Sequence, residues 1–70
     1  MMPLNLAVPG EENVIRKLGG SPETKRHLED LGFNVGGTVR LISVLNGSVI
    51  VGVRESRVAI DGDLARKILI

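Results

Sequence analysis

The chain has 70 residues, enough for one domain, and at this length folding buries only roughly 60% of the surface that the unfolded chain exposes. It contains no cysteine, so the sequence excludes disulfides, thiolate metal clusters and thiol nucleophiles. Its formal net charge is +1 and Phe33 is its only aromatic residue, which argues against nucleic-acid binding by a basic field or by base stacking.

The first predicted elements are two short strands. Leu4, Leu6 and Val8 alternate with other residues, as in a strand, and a Pro-Gly turn ends this segment. A second strand is predicted within residues 13–20, where it stops at two glycines. No basic leader precedes these strands, and no apolar run approaches the ~18 residues that a membrane span requires. We therefore expect a soluble, cytoplasmic protein.

A helix is predicted next, from about Pro22 to Leu31. Ser21 can cap its first backbone N–H groups, Pro22 suits the first helical position, and Glu23 lies at the positive end of the helix dipole. These three residue types together are typical of a helix start.

The predicted end of this helix is a glycine followed by the only aromatic residue. Gly32 stands where a residue with positive φ would close the helix, and Phe33 would then pack back on Leu28, as in the Schellman motif. Gly36 and the glycine after it turn the chain toward the next strand.

A β-hairpin is predicted to follow. The segment 38–45 is rich in β-branched residues, Asn46-Gly47 is a strong signal for a two-residue hairpin turn, and the partner strand is 48–54. Both strands carry apolar residues on both faces, so we expect the outer face to be covered by the chain ends or by a partner.

The C-terminal segment is predicted to contain a strand from Arg57 to Ile60, a helix cap at Asp61, one helical turn through Arg66 and a last strand that reaches Ile70. The fold class is therefore mostly β, with five to six short strands and one or two short helices. A small closed barrel is the expected architecture, because closure removes exposed sheet edges.

The order of these elements resembles the FeoA family, small accessory proteins of bacterial and archaeal ferrous-iron uptake. The resemblance extends over nearly the whole chain, which we interpret as one domain, 1–70. No single motif is specific, but the order and spacing of several are. They are the segment "IRKLGG", the residues Leu28, Leu31, Gly32, Phe33 and Gly36, the hairpin, and "RVAIDGDLARKILI". Asp61 and Gly62 depart from a more basic stretch common in relatives.

The resemblance implies an SH3-like barrel with an inserted helix and no enzymatic activity. It also implies a partner, the cytoplasmic GTPase-containing region of the FeoB ferrous-iron transporter. One alternative is a regulatory module of the kind found at the C-terminus of DtxR-type metal-dependent repressors. A small RNA-binding barrel is a further alternative, disfavoured by the near-neutral charge and the single aromatic residue.

The sequence provides little for catalysis or metal binding. There is one histidine and no cysteine, and neither phosphate-binding glycine motif occurs, so we expect no catalytic residue and no cofactor. Glu23, His27 and Asp30 are spaced to meet on one helix face, where a weak metal site is conceivable. Mixed charge on an exposed helix is more often plain solvated surface, so we predict no metal site there.

The predicted partner-binding surface is a groove between the inserted helix and the barrel. Leu28 and Leu31 are the candidate wall or anchor residues, although Leu28 is more simply explained as core. Arg54 and Arg57 are the candidate rim residues, because arginine makes directional contacts with carboxylates. Self-association, nucleotide dependence and the direction of any effect on transport are left open at this stage.

Overall fold

The computed structural model describes all residues from Met1 to Ile70 and is mostly β, with six strands and two short α-helices, as predicted. In chain order the elements are β1 (Glu12–Val14), β2 (Lys17–Leu18), α1 (Pro22–Asp30), β3 (Thr38–Leu45), β4 (Ser48–Val53), β5 (Ser56–Asp61), α2 (Gly62–Ala65) and β6 (Ile68–Leu69).

The strands form two antiparallel sheets instead of one closed barrel. A four-stranded sheet has the order β1-β3-β4-β5, and β2 pairs with β6 in a separate two-stranded sheet. The expectation of full closure is therefore wrong. No ladder joins the two sheets, and β5 remains an edge strand of the larger one.

The reason for this division lies at Ile15. Residues 13–20 were expected to form one strand, but the backbone changes partner within them. The Ile15 N–H donates to Gly37 O at 2.8 Å and Ile15 O accepts from the Gly36 N–H at 2.8 Å, whereas the Arg16 N–H donates to Leu69 O at 2.8 Å. The chain thus leaves the larger sheet after Ile15 and enters the smaller one.

The N-terminal strand prediction is also wrong, because Leu4–Leu6 is a 3-10 turn. Pro3, with φ −63°, precedes it, and the Ala7 N–H donates to Leu4 O at the turn's end. Leu4 and Ala7 are buried, whereas Leu6 and Val8 are exposed. The buried side chains therefore recur every third residue, as in a 3-10 helix, and not every second residue, as in a strand.

The start of α1 has the expected cap. The Ser21 Oγ accepts a hydrogen bond from the Thr24 N–H at 3.2 Å, and Pro22 occupies the first helical position, where its missing N–H costs nothing. The helix ends at Asp30, one residue earlier than predicted.

The end of α1 is a Schellman motif. Gly32 has φ 105°, as predicted. Its N–H donates to Glu29 O at 2.9 Å, and the Phe33 N–H donates to Leu28 O at 2.9 Å. Leu28 and Phe33 are both fully buried in the same core. The turn therefore brings the chain back under the helix.

The β3–β4 hairpin has the predicted turn, with positive φ at both Asn46 (47°) and Gly47 (83°). The pairing register shifts between Leu41 and Ser43, which marks a β-bulge. Before the bulge the strand alternates regularly between core and solvent. After it, the even-numbered Val44 pairs with the buried Val49, so the core-facing positions change from odd to even, although Val44 itself is 54% exposed near the hairpin tip. The two-sided apolar pattern of β3 thus reflects the bulge.

One hydrophobic core holds the fold together, and none of its buried residues is polar or charged. The core members from the larger sheet alternate along the strands, as expected for side chains on one face. The core consists of Leu4, Ala7, Ile15, Leu18, Leu28, Phe33, Val39, Leu41, Val49, Val51, Val53, Ile60, Ala65, Ile68 and Ile70.

The C-terminal part contains a tight turn and a helix cap. A two-residue turn, Arg54-Glu55, joins β4 to β5, and Arg54 has φ 56°, which is uncommon for a residue other than glycine. Asp61 caps α2 as predicted, because its Oδ1 accepts from the Leu64 N–H at 2.8 Å.

We predict that Gly32→Ala lowers the free energy of unfolding by about 1 kcal/mol, because a Cβ is disfavoured at positive φ. A steric clash would not contribute to this loss of stability, since the nearest atom to an added Cβ would be 3.7 Å away. Gly52→Ala is the matched control, because Gly52 lacks a positive φ and its added Cβ would make only ordinary contacts, the nearest at 3.6 Å. Chemical denaturation measures both. Equal stability of the two variants would contradict the conformational role of Gly32.

Candidate functional site

The three helix residues considered as metal ligands do not form a site. Glu23, His27 and Asp30 are all exposed on α1, and the structure contains no group of three acidic or histidine side chains placed to hold a metal ion. Their position agrees with a solvated helix face.

Leu28 lies in the core and not on a binding surface. Its side chain is 0% exposed, so no partner can contact it without opening the domain. The candidate role of Leu28 as a partner anchor is therefore wrong, and its alternative role as core is correct. Leu31 is half-buried and packs against the same core, so part of its side chain remains accessible.

A groove does lie beside the inserted helix, but other residues line it. It has a volume of about 470 Å³ and lies between α1, β2 and the loop before β3. Its helix wall consists of Pro22, Lys25 and Glu29, which recur at helical spacing, and Leu28 is not among the lining residues. The other lining residues are Arg16, Lys17, Leu18 and Val35.

The groove combines basic and apolar surface. Three of its side chains are basic and one is acidic, and none of the four belongs to an ion pair. Val35 is 62% exposed, so it offers an apolar contact at the groove edge. An acidic surface with one or two apolar side chains would complement this arrangement.

Arg54 and Arg57 line a second concavity, on the outer face of the larger sheet. This hollow has a volume of about 390 Å³ and shares Arg40, Arg54 and Gly52 with a smaller adjacent one of about 80 Å³. Arg40 and Arg57 face each other across Gly52, because both are register partners of that glycine. Gly52 has no side chain, so the floor between the arginines stays open.

The arginines of this hollow differ in their pairing. Arg40 makes an exposed ion pair with Glu12, with Nη2 and Oε2 at 3.6 Å. The only other ion pair of the structure joins Arg66 and Asp63, so Arg54 and Arg57 are unpaired. Arg54 also approaches the end of α1, since a Cβ on Gly32 would lie 3.7 Å from its Nε.

The structure therefore separates the residues that the sequence grouped together. Leu31 and Arg54 both lie near the C-terminal end of α1, Arg57 lies on the outer sheet face, and none of them lines the groove. Sequence reasoning missed the groove residues. The spacing of Pro22, Lys25 and Glu29 was the available signal for its helix wall.

Comparison with known proteins identifies the family of the chain and its fold. The model of the FeoA domain matches residues 2–70 of the chain. The chain belongs to the FeoA family. The expected SH3-like FeoA fold is confirmed by the crystal structure of an iron uptake regulatory protein, FeoA, with a TM-score of 0.87 and 25% identity over 96% of this chain and 89% of that one.

Two further relatives extend this comparison. The chain is 34% identical to a protein of Methanocaldococcus jannaschii named "Putative Fe(2+) transport protein A", over 100% of this chain and 85% of that protein. The solution structure of FeoA from Chlorobium tepidum has a TM-score of 0.85 at 18% identity, over 97% of this chain and 67% of that one.

The same fold occurs within a manganese-dependent transcriptional repressor, with a TM-score of 0.84 at 16% identity over 94% of this chain and 38% of that one. The crystal structure of ScaR with bound Cd2+ has a TM-score of 0.86 at 17% identity, and the match covers 97% of this chain but 34% of ScaR. At this identity the likeness concerns the fold alone. Neither α-helix of this chain has the length and apolar composition needed to cross a bilayer.

We predict that Leu28→Ala lowers the free energy of unfolding by about 2–5 kcal/mol, because it leaves a cavity in the core. Leu6→Ala is the matched control. Leu6 is 65% exposed, so the same truncation there should change stability by less than ~0.5 kcal/mol. Urea denaturation measures both. Equal effects would contradict the placement of Leu28 in the core.

We also predict that the isolated protein has no tight Fe²⁺ or Zn²⁺ site on α1, because its single histidine has no organised ligand set. Calorimetric titration with either metal should show no stoichiometric, tight binding. A tight site in the wild type that is lost in His27→Ala would overturn this prediction.

Proposed function

We propose that the protein is a noncatalytic accessory component of ferrous-iron uptake, which docks on the cytoplasmic GTPase-containing region of a FeoB-type transporter. The observation that carries this proposal is membership of the FeoA family over residues 2–70. The name of the archaeal relative, which refers to Fe(2+) transport, supports the same process. The transporter would supply the nucleotide chemistry, and the small domain would modulate its assembly or activity.

We place the principal docking surface at the groove beside α1. Its net positive charge and its exposed Val35 suit an acidic partner surface that carries a small apolar anchor. Two of its three walls, α1 and β2, are regular elements, so most of the groove needs little ordering on binding. Contact with the transporter would recruit the protein to the inner face of the membrane without insertion into the bilayer.

A second contact region is proposed at the hollow on the outer sheet face. Arg54 and Arg57 are exposed and unpaired there, so each can bind a carboxylate without first breaking an ion pair. Leu31 would contribute the accessible part of its side chain next to Arg54. These residues keep the role proposed for them from the sequence, but they form a region distinct from the groove.

We predict that Lys25→Glu weakens binding to the soluble cytoplasmic domain of the transporter about tenfold, equivalent to ~1.4 kcal/mol. The change reverses the charge of one groove wall, and the loss should shrink at high salt. Glu29→Lys is the matched control on the same wall, and it should bind at least as tightly as the wild type. Isothermal titration calorimetry measures both.

Arg54→Glu tests the second region in the same assay. Each variant must first show the circular dichroism spectrum and melting temperature of the wild type. If Lys25→Glu binds normally and Arg54→Glu does not, docking takes place at the hollow and not at the groove. If both bind normally, the proposed surfaces are wrong.

A further inference from the structure

The open edge of the larger sheet is the feature on which a further inference rests. β5 has six residues, lies at the end of the strand order and pairs only with β4. Its register with β4 is continuous, and its sequence contains neither proline nor lysine. β5 therefore lacks a bulge, a proline and a lysine, three of the devices that protect a sheet edge, and the two charges that it does carry, on Arg57 and Asp61, are of opposite sign.

The backbone groups that this edge presents follow from the hairpin turn. In an antiparallel pair joined by two residues, the residues that flank the turn exchange hydrogen bonds, and here these are Val53 and Ser56. The Gly62 N–H donates to Gly47 O at 2.9 Å and continues the same alternation. The backbone N–H and C=O groups of the even-numbered residues of β5 thus point toward β4. The backbone groups of Arg57, Ala59 and Asp61 point away from the sheet.

The same three residues place a self-complementary charge pattern on the edge. Their side chains share the outer face, and Arg57 and Asp61 lie two residues on either side of Ala59. In an antiparallel pair of two β5 strands centred on Ala59, each Arg57 stands opposite Asp61 of the second copy. Ala59 meets Ala59 of the second copy at the axis, where its small side chain causes no clash.

We propose that the protein forms a symmetric dimer in which β5 pairs antiparallel with β5 of a second copy about an axis at Ala59. This pairing joins two four-stranded sheets into one continuous sheet. It satisfies the outward N–H and C=O groups of the edge and covers part of the half-buried Val58 on the inner face. The two exposed ion pairs add little affinity, but they set the register.

Asp61 can serve both the helix cap and the dimer. Its Oδ1 accepts from the Leu64 N–H, and no hydrogen bond engages its other carboxylate oxygen. Its backbone is extended, with φ −76° and ψ 164°, so the strand geometry continues to this residue. Arg57 and Asp61 carry opposite charges, so a uniformly acidic or basic strand on this edge would repel one of them. A second copy of β5 attracts both.

The test exploits the fact that position 59 faces itself across the axis. Ala59→Lys and Ala59→Glu each place like charges at the axis, so each variant alone should dimerise at least about fivefold more weakly than the wild type. An equimolar mixture of the two should recover the dimer, because lysine then faces glutamate. Sedimentation equilibrium from micromolar to millimolar concentration measures all three samples and the wild type.

Two further variants keep the test decisive. Thr38→Lys places the same charge on an exposed position of β3, away from the edge, and should dimerise like the wild type. Arg57→Glu sets like charges opposite each other, leaves the Asp61 cap intact and should also weaken the dimer if the substitutions at Ala59 impair folding. A wild type that stays monomeric at millimolar concentration overturns the proposal, as does a dimer that all variants retain.

Discussion

The reversal of the chain at Gly32 is the constraint on which the rest of the domain depends. It places Leu28 at the end of a helix and Phe33 at the start of a loop in the same apolar core. With no cysteine in the chain and no polar residue in the core, burial of this kind supplies most of the stability. The loop then leads to Gly36 and Gly37, whose backbone bonds with Ile15 join the N-terminal half to β3.

The parts of the fold that the sequence predicts correctly are set by local chemistry. Ser21 and Pro22 start a helix, and Asn46 and Gly47 accept the positive φ that a tight hairpin requires, whatever the rest of the chain does. The errors concern elements whose form depends on distant partners. Residues 13–20 form two strands because Leu69, which is far away in sequence, takes over the backbone pairing.

The candidate site was harder to predict for the same reason. Burial of Leu28 followed from its helix position, but the groove draws Arg16 from one segment and Val35 from another, and no sequence pattern shows that they meet. The sequence marks Arg57 as a candidate rim residue of a partner surface, whereas its position opposite Arg40 depends on the registers of three strands. The chemistry of each side chain could thus be predicted from the sequence. Which side chains lie next to one another in the folded protein could not.

Arg57 belongs to two surfaces, since it borders the hollow on the outer sheet face and also lies on the open β5 edge. When Arg57 binds a partner at the hollow, its side chain is no longer available for pairing at the β5 edge, and the reverse also holds. If both associations occur, self-pairing competes with the transporter contact at the hollow, and a dimer keeps only its two grooves free for docking. The ratio of this small protein to its membrane partner in the cell would then govern how many transporters are bound through both surfaces.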